Sequence, residues 1–345
     1  MWAAVVREAG RVPELARVAV PDPVTTVPPG FPIEHADAPA RVPGERAASL
    51  VAVTCAALNP IDLHVASGGF FQGPPQVPYV PGVEGVGRVV ESAGHPVGTR
   101  VRFELGHPGY GADGALADYV VVDDAGLVAL PSTVDDEDAA ALGVPGITAA
   151  RALDAADLVE GETVLVLGAT GAVGAVAVQL ARQRGAGRVV AAGRDAERLA
   201  RAEELGADAA VVLDDRPAGE LAAELREASG GGVDVVVDPL WGTPAVAALQ
   251  AGRFGVRLVN VGQAAATSVE MPSVPLRGHR ATVRATSTAM DDFGVRRERY
   301  REVLDHLAAG RLRLDHVAHP STAVAEAWEA QRSSPGVRRL VRWGG

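Results

Sequence analysis

The chain has 345 residues, which is enough for two domains with sizeable cores. Its formal net charge of −11 argues against nucleic acid or an anionic membrane as the main partner. All 32 basic residues are arginine, so no lysine is present to form a Schiff base, and the single Cys55 excludes an intrachain disulfide or a multi-thiolate metal site. Without a run of about 20 apolar residues or a basic-then-apolar leader, the sequence predicts a soluble cytoplasmic protein.

The N-terminal third of the chain has the pattern of a mostly-β domain. A hairpin is predicted over residues 2–20, and the proline-rich residues 21–44 are predicted to be irregular. Asn59-Pro-Ile-Asp62 is interpreted as a turn, because Pro60 disfavours helix at the residue before it. Further strands are expected at 49–58, 82–90 and 117–122, and a helix with an acidic start is expected at 135–153.

A short apolar run that breaks into glycines dominates the middle of the sequence. Residues 164–167 are apolar without alternation, as expected of a strand buried on both faces of a parallel sheet. The run continues as Ala169-Thr170-Gly171-Ala172-Val173-Gly174 and enters an apolar helical stretch. A strand that turns tightly into a helix points unpaired N–H groups and the positive end of the helix dipole at one spot, which suits a pyrophosphate. The pattern therefore predicts a dinucleotide site.

Strand and helix patterns alternate from this motif to about residue 285, which predicts a doubly wound parallel sheet. Predicted strands are 189–192, 210–213, 233–237, 257–261 and 282–285, and predicted helices are 196–205, 219–229 and 244–251. A helix at 293–309 and a strand at 338–343 follow and are expected to return to the first domain. We therefore expect an α/β fold with a mostly-β domain at 1–124 and 289–345, and a nucleotide-binding domain at 125–288.

The end of the second predicted strand of this domain favours NADPH over NADH. An acidic residue usually stands there and binds the adenosine ribose of NAD, whereas this sequence has Gly193 and Arg194. Arg194 and Arg198, one helical turn later, can bind a 2′-phosphate bidentately. The alternative is a pair of surface arginines beside Asp195 and Glu197.

The chain as a whole resembles the medium-chain dehydrogenase/reductase superfamily, in its zinc-free, zeta-crystallin-like quinone oxidoreductase branch. The stretches that carry the resemblance occur in the family's order and are Ala57-Leu-Asn-Pro-Ile-Asp-Leu63, Val80-Pro-Gly-Val-Glu-Gly-Val-Gly87, Gly146-Ile-Thr-Ala149, residues 168–174, Leu205-Gly-Ala-Asp208, Val233-Asp-Val-Val-Val-Asp238 and Leu258-Val-Asn-Val-Gly262. The resemblance implies a GroES-like catalytic domain, a Rossmann domain that binds NADPH, and reduction of quinones or α,β-unsaturated carbonyls.

Zinc-dependent members of this family carry a cysteine where Asn59 stands and a histidine where Val83 stands. They also have a four-cysteine lobe, which is missing here. His64, His95 and His107 have no thiolate or suitably spaced partner, so no metal site is predicted.

The resemblance also assigns expected roles to several residues. Asn59 would lie beside the nicotinamide and bond the substrate carbonyl, although a turn former before proline explains it equally well; Asp62 is expected to order that turn rather than transfer protons. Thr148 matches the position whose hydroxyl approaches the nicotinamide. The loop Val261-Gly262-Gln263 matches the one whose backbone meets the carboxamide.

Four aromatic residues are candidates for the wall of a flat substrate pocket, namely Phe70, Phe71, Tyr79 and Trp241. Packing in the core explains each of them equally well when taken singly. Enoyl-thioester reductases of the superfamily carry a tyrosine acid in the loop where this chain has Gly69-Phe-Phe71. Trp241 stands where relatives have small residues.

The sequence therefore predicts an NADPH-dependent reductase of quinones or polarised enones, acting on a small molecule. A non-catalytic NADPH-binding relative and an enoyl reductase that tailors a natural product are the alternatives. Because relatives pair through the last strand of the Rossmann sheet, predicted here at 282–285, a homodimer is also expected.

Overall fold

The computed structural model describes residues 1–23, 47–106, 108–333 and 336–344. Its contacts divide the chain into two compact units, one formed by Met1–Val144 with Ala289–Gly345 and the other by Pro145–Thr288. The first unit extends past the boundary expected after residue 124, because the short strand Leu127–Ala129 pairs with the strand Arg100–Glu104 of that unit. Most of the proline-rich segment predicted at 21–44, and His107, lie outside the described residues.

Strands and helices are numbered in chain order. The strands are β1 (Trp2–Val5), β2 (Glu14–Arg17), β3 (Ala48–Ala57), β4 (Glu84–Ser92), β5 (Arg100–Glu104), β6 (Tyr119–Asp123), β7 (Leu127–Ala129), β8 (Thr163–Leu167), β9 (Arg188–Gly193), β10 (Ala209–Val212), β11 (Val233–Asp238), β12 (Gly252–Asn260), β13 (Thr282–Ala285), β14 (His316–Pro320) and β15 (Arg338–Arg342). The helices are α1 (Pro60–Ala66), α2 (Asp136–Ala141), α3 (Gly143–Ala155), α4 (Ala172–Gln183), α5 (Ala196–Glu204), α6 (Ala218–Ala228), α7 (Thr243–Gln250), α8 (Ser273–Gly278), α9 (Phe293–Ala308) and α10 (Val324–Arg332).

The first unit is built on a seven-stranded sheet in the order β14-β15-β3-β4-β5-β7, with β6 paired to β3. The predicted N-terminal hairpin is present as the antiparallel pair β1 and β2. The C-terminal strand β15 pairs with β3, which confirms that the end of the chain returns to the first unit. This is the GroES-like, mostly-β part of the fold.

Two local predictions were wrong. Asn59-Pro-Ile-Asp62 is not an isolated turn but the start of helix α1, because proline is tolerated in a first helical turn, where its missing N–H has no partner to lose. The helix expected over 135–153 is broken at Leu142 into α2 and α3. At the break, the Glu84 carboxylate accepts the Val144 N–H at 2.7 Å, so a donor in the first turn of α3 has a partner outside the helix.

The second unit is a six-stranded parallel sheet in the order β10-β9-β8-β11-β12-β13. This order reverses between β8 and β11, as in a Rossmann fold, and ligands of such sheets bind at the carboxyl ends of the strands near this point. All five residues of β8 are buried, as the apolar run predicts. Strand β13 lies at one edge of the sheet.

Among the residues described, no helix combines the length and apolar character needed to cross a bilayer.

Candidate active site

The glycine-rich loop after β8 has the shape that a pyrophosphate site requires. Gly168 has a positive φ of 63°, and the Ala169 N–H donates to Ala192 O at 2.9 Å, which ties the loop to β9. A Cβ added at Gly174 would lie 2.3 Å from Gly168 O, so only glycine permits α4 to start this close to the strand. Helix α4 begins with Ala172 and Val173, whose N–H groups have no intrahelical acceptor.

Arg194, at the tip of β9, lies beside this loop without an ionic partner among the described residues. Gly193 ends β9, and a Cβ there would lie 2.9 Å from Cγ2 of Thr170, so the strand tip and the glycine-rich loop are in contact. Arg194 is exposed and makes no ion pair or hydrogen bond with any residue in the described ranges. The Nε of Arg198 lies 3.3 Å from Oδ2 of Asp195, the N-cap of α5, so Arg198 already has an acidic partner.

Next to the turn after β11, the loop after β12 offers two open backbone donors. The Val261 N–H donates to Asp238 O at 2.8 Å, whereas the N–H groups of Gly262 and Gln263 bond to no residue of the described chain. A Cβ at Gly262 would lie 2.8 Å from Pro239 O, so this loop packs closely against the turn after β11.

Thr148, the other residue expected at the nicotinamide, lies in α3. Its Oγ1 is 3.5 Å from Oγ1 of Thr288 and is only partly buried. One of the two hydroxyls is therefore able to donate elsewhere.

These residues fit a nicotinamide dinucleotide. Gly171 has no neighbour closer to an added Cβ than Gly168 O at 3.4 Å, so the N-terminus of α4 is open to an anion. Arg194 adds an exposed cation at the tip of β9, next to this loop.

In the first unit, Asn59 and Asp62 fix the start of α1. The Asp62 carboxylate accepts the N–H of Asn59 at 2.7 Å and that of Val83 at 3.1 Å. Burial raises the pKa of Asp62 to about 7. The Asn59 amide nitrogen donates to Ala57 O at 3.2 Å and to Oε1 of Glu84 at 3.0 Å. Both amide hydrogens of Asn59 are thus used within the unit, so bonding a substrate carbonyl would break one of these contacts.

Beneath this turn lies a buried network of ion pairs. Glu84 accepts from Arg102 at 2.8 Å and from Arg338, which also donates to Leu58 O. Arg102 and Arg296 both pair with Glu104. Burial alone would raise the pKa of Glu104, but Arg296 and Arg102 outweigh it and hold that pKa below its ordinary value. The Glu104 carboxylate therefore stays ionised, and the ion pairs of Glu84 and Glu104 join β4, β5, α9 and β15.

The four candidate aromatic residues do not form one cluster within the described contacts. Phe70 packs against Phe71, with ring centroids 4.4 Å apart, and against Tyr110 at 5.8 Å. Tyr79 is buried in the same core, while Trp241 packs on the core of the second unit. Phe71 is 66% exposed, so its ring is accessible.

Neither tyrosine of this region is poised as an acid. The Tyr110 hydroxyl donates to Gly73 O at 2.7 Å. The Tyr79 hydroxyl is buried and has no partner in the described residues, and burial raises its pKa.

Metal ligands are not grouped in the described part of the chain, where no three histidine, cysteine, aspartate or glutamate side chains could together hold a metal ion. Cys55 is buried in β3, and burial raises the pKa of its thiol. His64 packs edge-on against Phe70, with ring centroids 6.3 Å apart.

Several residues of the site were not predicted from the sequence. Glu84 and Asp238 stand in stretches that carried the family resemblance, so their acidic character was a usable signal. The sequence gave no sign that Arg102 and Arg338 are buried, because an arginine in a short strand is usually expected to face solvent.

Two family models match the chain, the alcohol dehydrogenase GroES-like domain at residues 45–132 and the zinc-binding dehydrogenase domain at residues 172–309. Together they cover most of both units.

Among curated relatives, a zinc-type alcohol dehydrogenase-like protein of Schizosaccharomyces pombe is 39% identical over 138 residues, which is 39% of this chain and 42% of the relative. A quinone oxidoreductase of Lama guanicoe is 36% identical over 134 residues, 39% of this chain and 40% of the relative. The match to these relatives thus spans about two fifths of their length.

Solved structures cover the whole chain. The quinone oxidoreductase from Thermus thermophilus, whose crystal structures include a complex with NADPH, is 27% identical, with a TM-score of 0.78 over 99% of this chain and 100% of that one. With both domain models matched in order and the full-length fold shared, the chain belongs to the medium-chain dehydrogenase/reductase superfamily, in its quinone oxidoreductase branch.

Proposed function

We propose that this chain is an NADPH-dependent reductase that transfers hydride, without a metal ion, to a quinone or an α,β-unsaturated carbonyl. The observation that carries the proposal is Arg194, a cation at the tip of β9 beside the loop that starts α4, which has no partner within the described ranges. When bound, NADPH supplies the hydride. The protein supplies binding, orientation and exclusion of water.

Each part of the second unit has a role in holding the cofactor. The first N–H groups of α4 bind the pyrophosphate, and Arg194 binds the 2′-phosphate. The open N–H groups of Gly262 and Gln263 bind the carboxamide, and the hydroxyl of Thr148 lies at the nicotinamide.

The first unit supports a reaction that needs no dedicated acid. Asp62 and Glu84 hold the Asn59 turn rigid, and the Asn59 amide hydrogens are already used. Because the hydroxyls of Tyr79 and Tyr110 are buried or bonded, the final proton comes from water. This favours quinones, since a hydroquinone anion is stabilised by its own aromatic ring, whereas an enolate gains about 10²–10⁴ in rate from an acid.

The test is NADPH oxidation with a panel of quinones, enones and enoyl thioesters. We expect quinone turnover that survives dialysis against a strong chelator, and slower turnover of enoyl thioesters. Stoichiometric zinc that is lost together with activity would overturn metal independence. Tight NADPH binding without turnover of any acceptor would favour a non-catalytic relative instead.

Replacing Arg194 by alanine is expected to raise the KM for NADPH roughly 10- to 150-fold, the scale of one charge-assisted contact of ~1.5–3 kcal/mol. The KM for NADH should change little, since NADH lacks the 2′-phosphate. Arg198→Ala is the matched control and should have a smaller effect, because Arg198 already pairs with Asp195. A wild type that prefers NADH would contradict the assignment.

We also propose that two copies of the chain form a twofold dimer. We propose that the protein acts in the cytoplasm, where the single thiol of Cys55 stays reduced. All four residues of the edge strand β13 are exposed, and Val283 is 42% exposed. Edge strands with open N–H and C=O groups pair readily with a second copy. Light scattering at micromolar concentration should show a dimer for the wild type and a monomer for Val283→Asp. Val97→Asp, on the first unit, should stay dimeric, and a monomeric wild type would rule the dimer out.

A further inference from the structure

The turn after β11 holds a bulky residue in an unusual backbone conformation. Trp241 has a φ of 61°, in the left-handed region that side chains with a Cβ rarely adopt, and Gly242 follows with a φ of 73°. Such a conformation persists only where the surroundings enforce it, and it is often found at functional sites.

A buried carboxylate enforces it here. Asp238 is 0% exposed, and its Oδ1 accepts the N–H groups of Leu240 at 2.9 Å and of Trp241 at 2.8 Å. Its Oδ2 accepts the side-chain amide of Asn260 at 3.1 Å. Both oxygens of Asp238 are thus used to shape this turn.

The turn is also tied to the loops on either side of it. The N–H groups of Ala264 and Ala265 donate to Pro239 O and Leu240 O, and the Asn260 amide donates to Gly262 O at 2.7 Å. On the other side, a Cβ at Gly168 would lie 3.1 Å from Cδ2 of Leu240. Pro239 and Leu240 thus tie the turn that carries Trp241 to the glycine-rich loop and to the loop of Gly262, at the carboxyl edge of the sheet where ligands of this fold bind.

We propose that Asp238 is a positioning residue that fixes Trp241 as an aromatic wall at the nicotinamide end of the proposed cofactor site, so that the site selects flat, electron-poor acceptors. This inference rests on the proposed function. The indole is partly buried against the core of the second unit, and the left-handed turn limits its freedom. A fixed aromatic face stacks on a planar ring but has no such contact with a branched, non-planar enone.

The first measurement compares a flat quinone with a branched enone as acceptors. Trp241→Gly removes the ring and still permits the positive φ, and Asp238→Asn keeps the ring but places an amide against the amide of Asn260. Both variants should lower the ratio of quinone to enone kcat/KM about two- to tenfold, the scale of one aromatic contact. Equal losses for both acceptors would show a merely structural role and overturn the proposal.

The second measurement does not depend on turnover. Energy transfer from tryptophan to bound NADPH should fall by more than half in Trp241→Phe and remain in Trp2→Phe, whose tryptophan is an exposed residue of the first unit. If wild type binds no NADPH, the proposed function fails. If it binds NADPH and Trp241→Phe leaves the transfer unchanged, this inference fails while the proposed function stands. This comparison decides the matter even if Asp238→Asn does not fold.

Discussion

Replacing Arg338 by leucine should lower the free energy of unfolding by about 3–5 kcal/mol, because it leaves buried groups without their partner. Arg338 is 4% exposed, and it donates to Glu84, to Leu58 O and to Ala141 O. Removing the guanidinium leaves the Glu84 carboxylate with one fewer cation and leaves two carbonyls unpaired. The measurement is urea unfolding at neutral pH.

Arg342→Leu is the matched control on the same strand. Arg342 also pairs with a carboxylate, Glu137, but its side chain is 56% exposed. An exposed ion pair contributes about 0–1 kcal/mol, so this variant should unfold nearly as the wild type does. Equal and small losses for both variants would show that the buried network is not what joins β15 to the first unit.

Replacing Arg338 should also change the pKa of Asp62. The positive charge of Arg338 lowers the pKa of Asp62, against the larger effect of burial, which raises it to about 7. Without Arg338 that pKa should rise further, so that Asp62 is protonated at neutral pH. The turn at Asn59 would then be held by a neutral acid, which is a weaker acceptor of the Asn59 and Val83 N–H groups.

The second unit could be predicted closely from the sequence because its signals are local. Each strand of a parallel sheet covered on both faces is a short apolar run, and each run is followed by a helix pattern. The glycine-rich loop and Gly193-Arg194 lie at the ends of such runs, so their place at one edge of the sheet follows from the topology. The structure confirms the parallel sheet and β13 at its edge.

The first unit was less predictable, since its buried polar groups come from distant parts of the chain. Strand β5 was not predicted because Arg100, Arg102 and Glu104 look like solvent-facing residues, although Arg102 is only 2% exposed. The buried guanidinium of Arg102 pairs with Glu84 and Glu104. Glu104 in turn pairs with Arg296, which is 192 residues away from it along the chain. No local pattern reports such a pairing.

The same limit applies to the site. A sequence places Asn59 before Pro60, but it does not show which of its amide atoms is available. Glu84, 25 residues later, accepts one amide hydrogen, and Ala57 O accepts the other. Likewise, the acidic end of β11 is visible in the sequence, whereas the left-handed Trp241 that Asp238 holds is not.

Gly174→Ala is expected to weaken NADPH binding at least about 100-fold, equivalent to losing one or two charge-assisted hydrogen bonds to the pyrophosphate. The added methyl would lie 2.3 Å from Gly168 O and 2.6 Å from Cα of Ala169, and both are backbone atoms that no rotamer change can move. The start of α4 must therefore shift away from β8. The first N–H groups of α4 would then no longer point at the one position where the pyrophosphate is proposed to bind. Calorimetric titration with NADP⁺ measures the loss directly.

Gly219→Ala is the control that distinguishes damage to the pyrophosphate site from a general effect of replacing a helical glycine by alanine. Gly219 lies near the start of α6 in the same unit, and nothing lies within 4 Å of an added Cβ. That variant should bind the cofactor as the wild type does and should be as stable or slightly more stable, since alanine favours a helix over glycine by about 1 kcal/mol. If Gly174→Ala binds NADP⁺ within threefold of the wild type while remaining folded, the close approach of α4 to the strand is not what builds the pyrophosphate site, and the glycine at 174 serves packing alone.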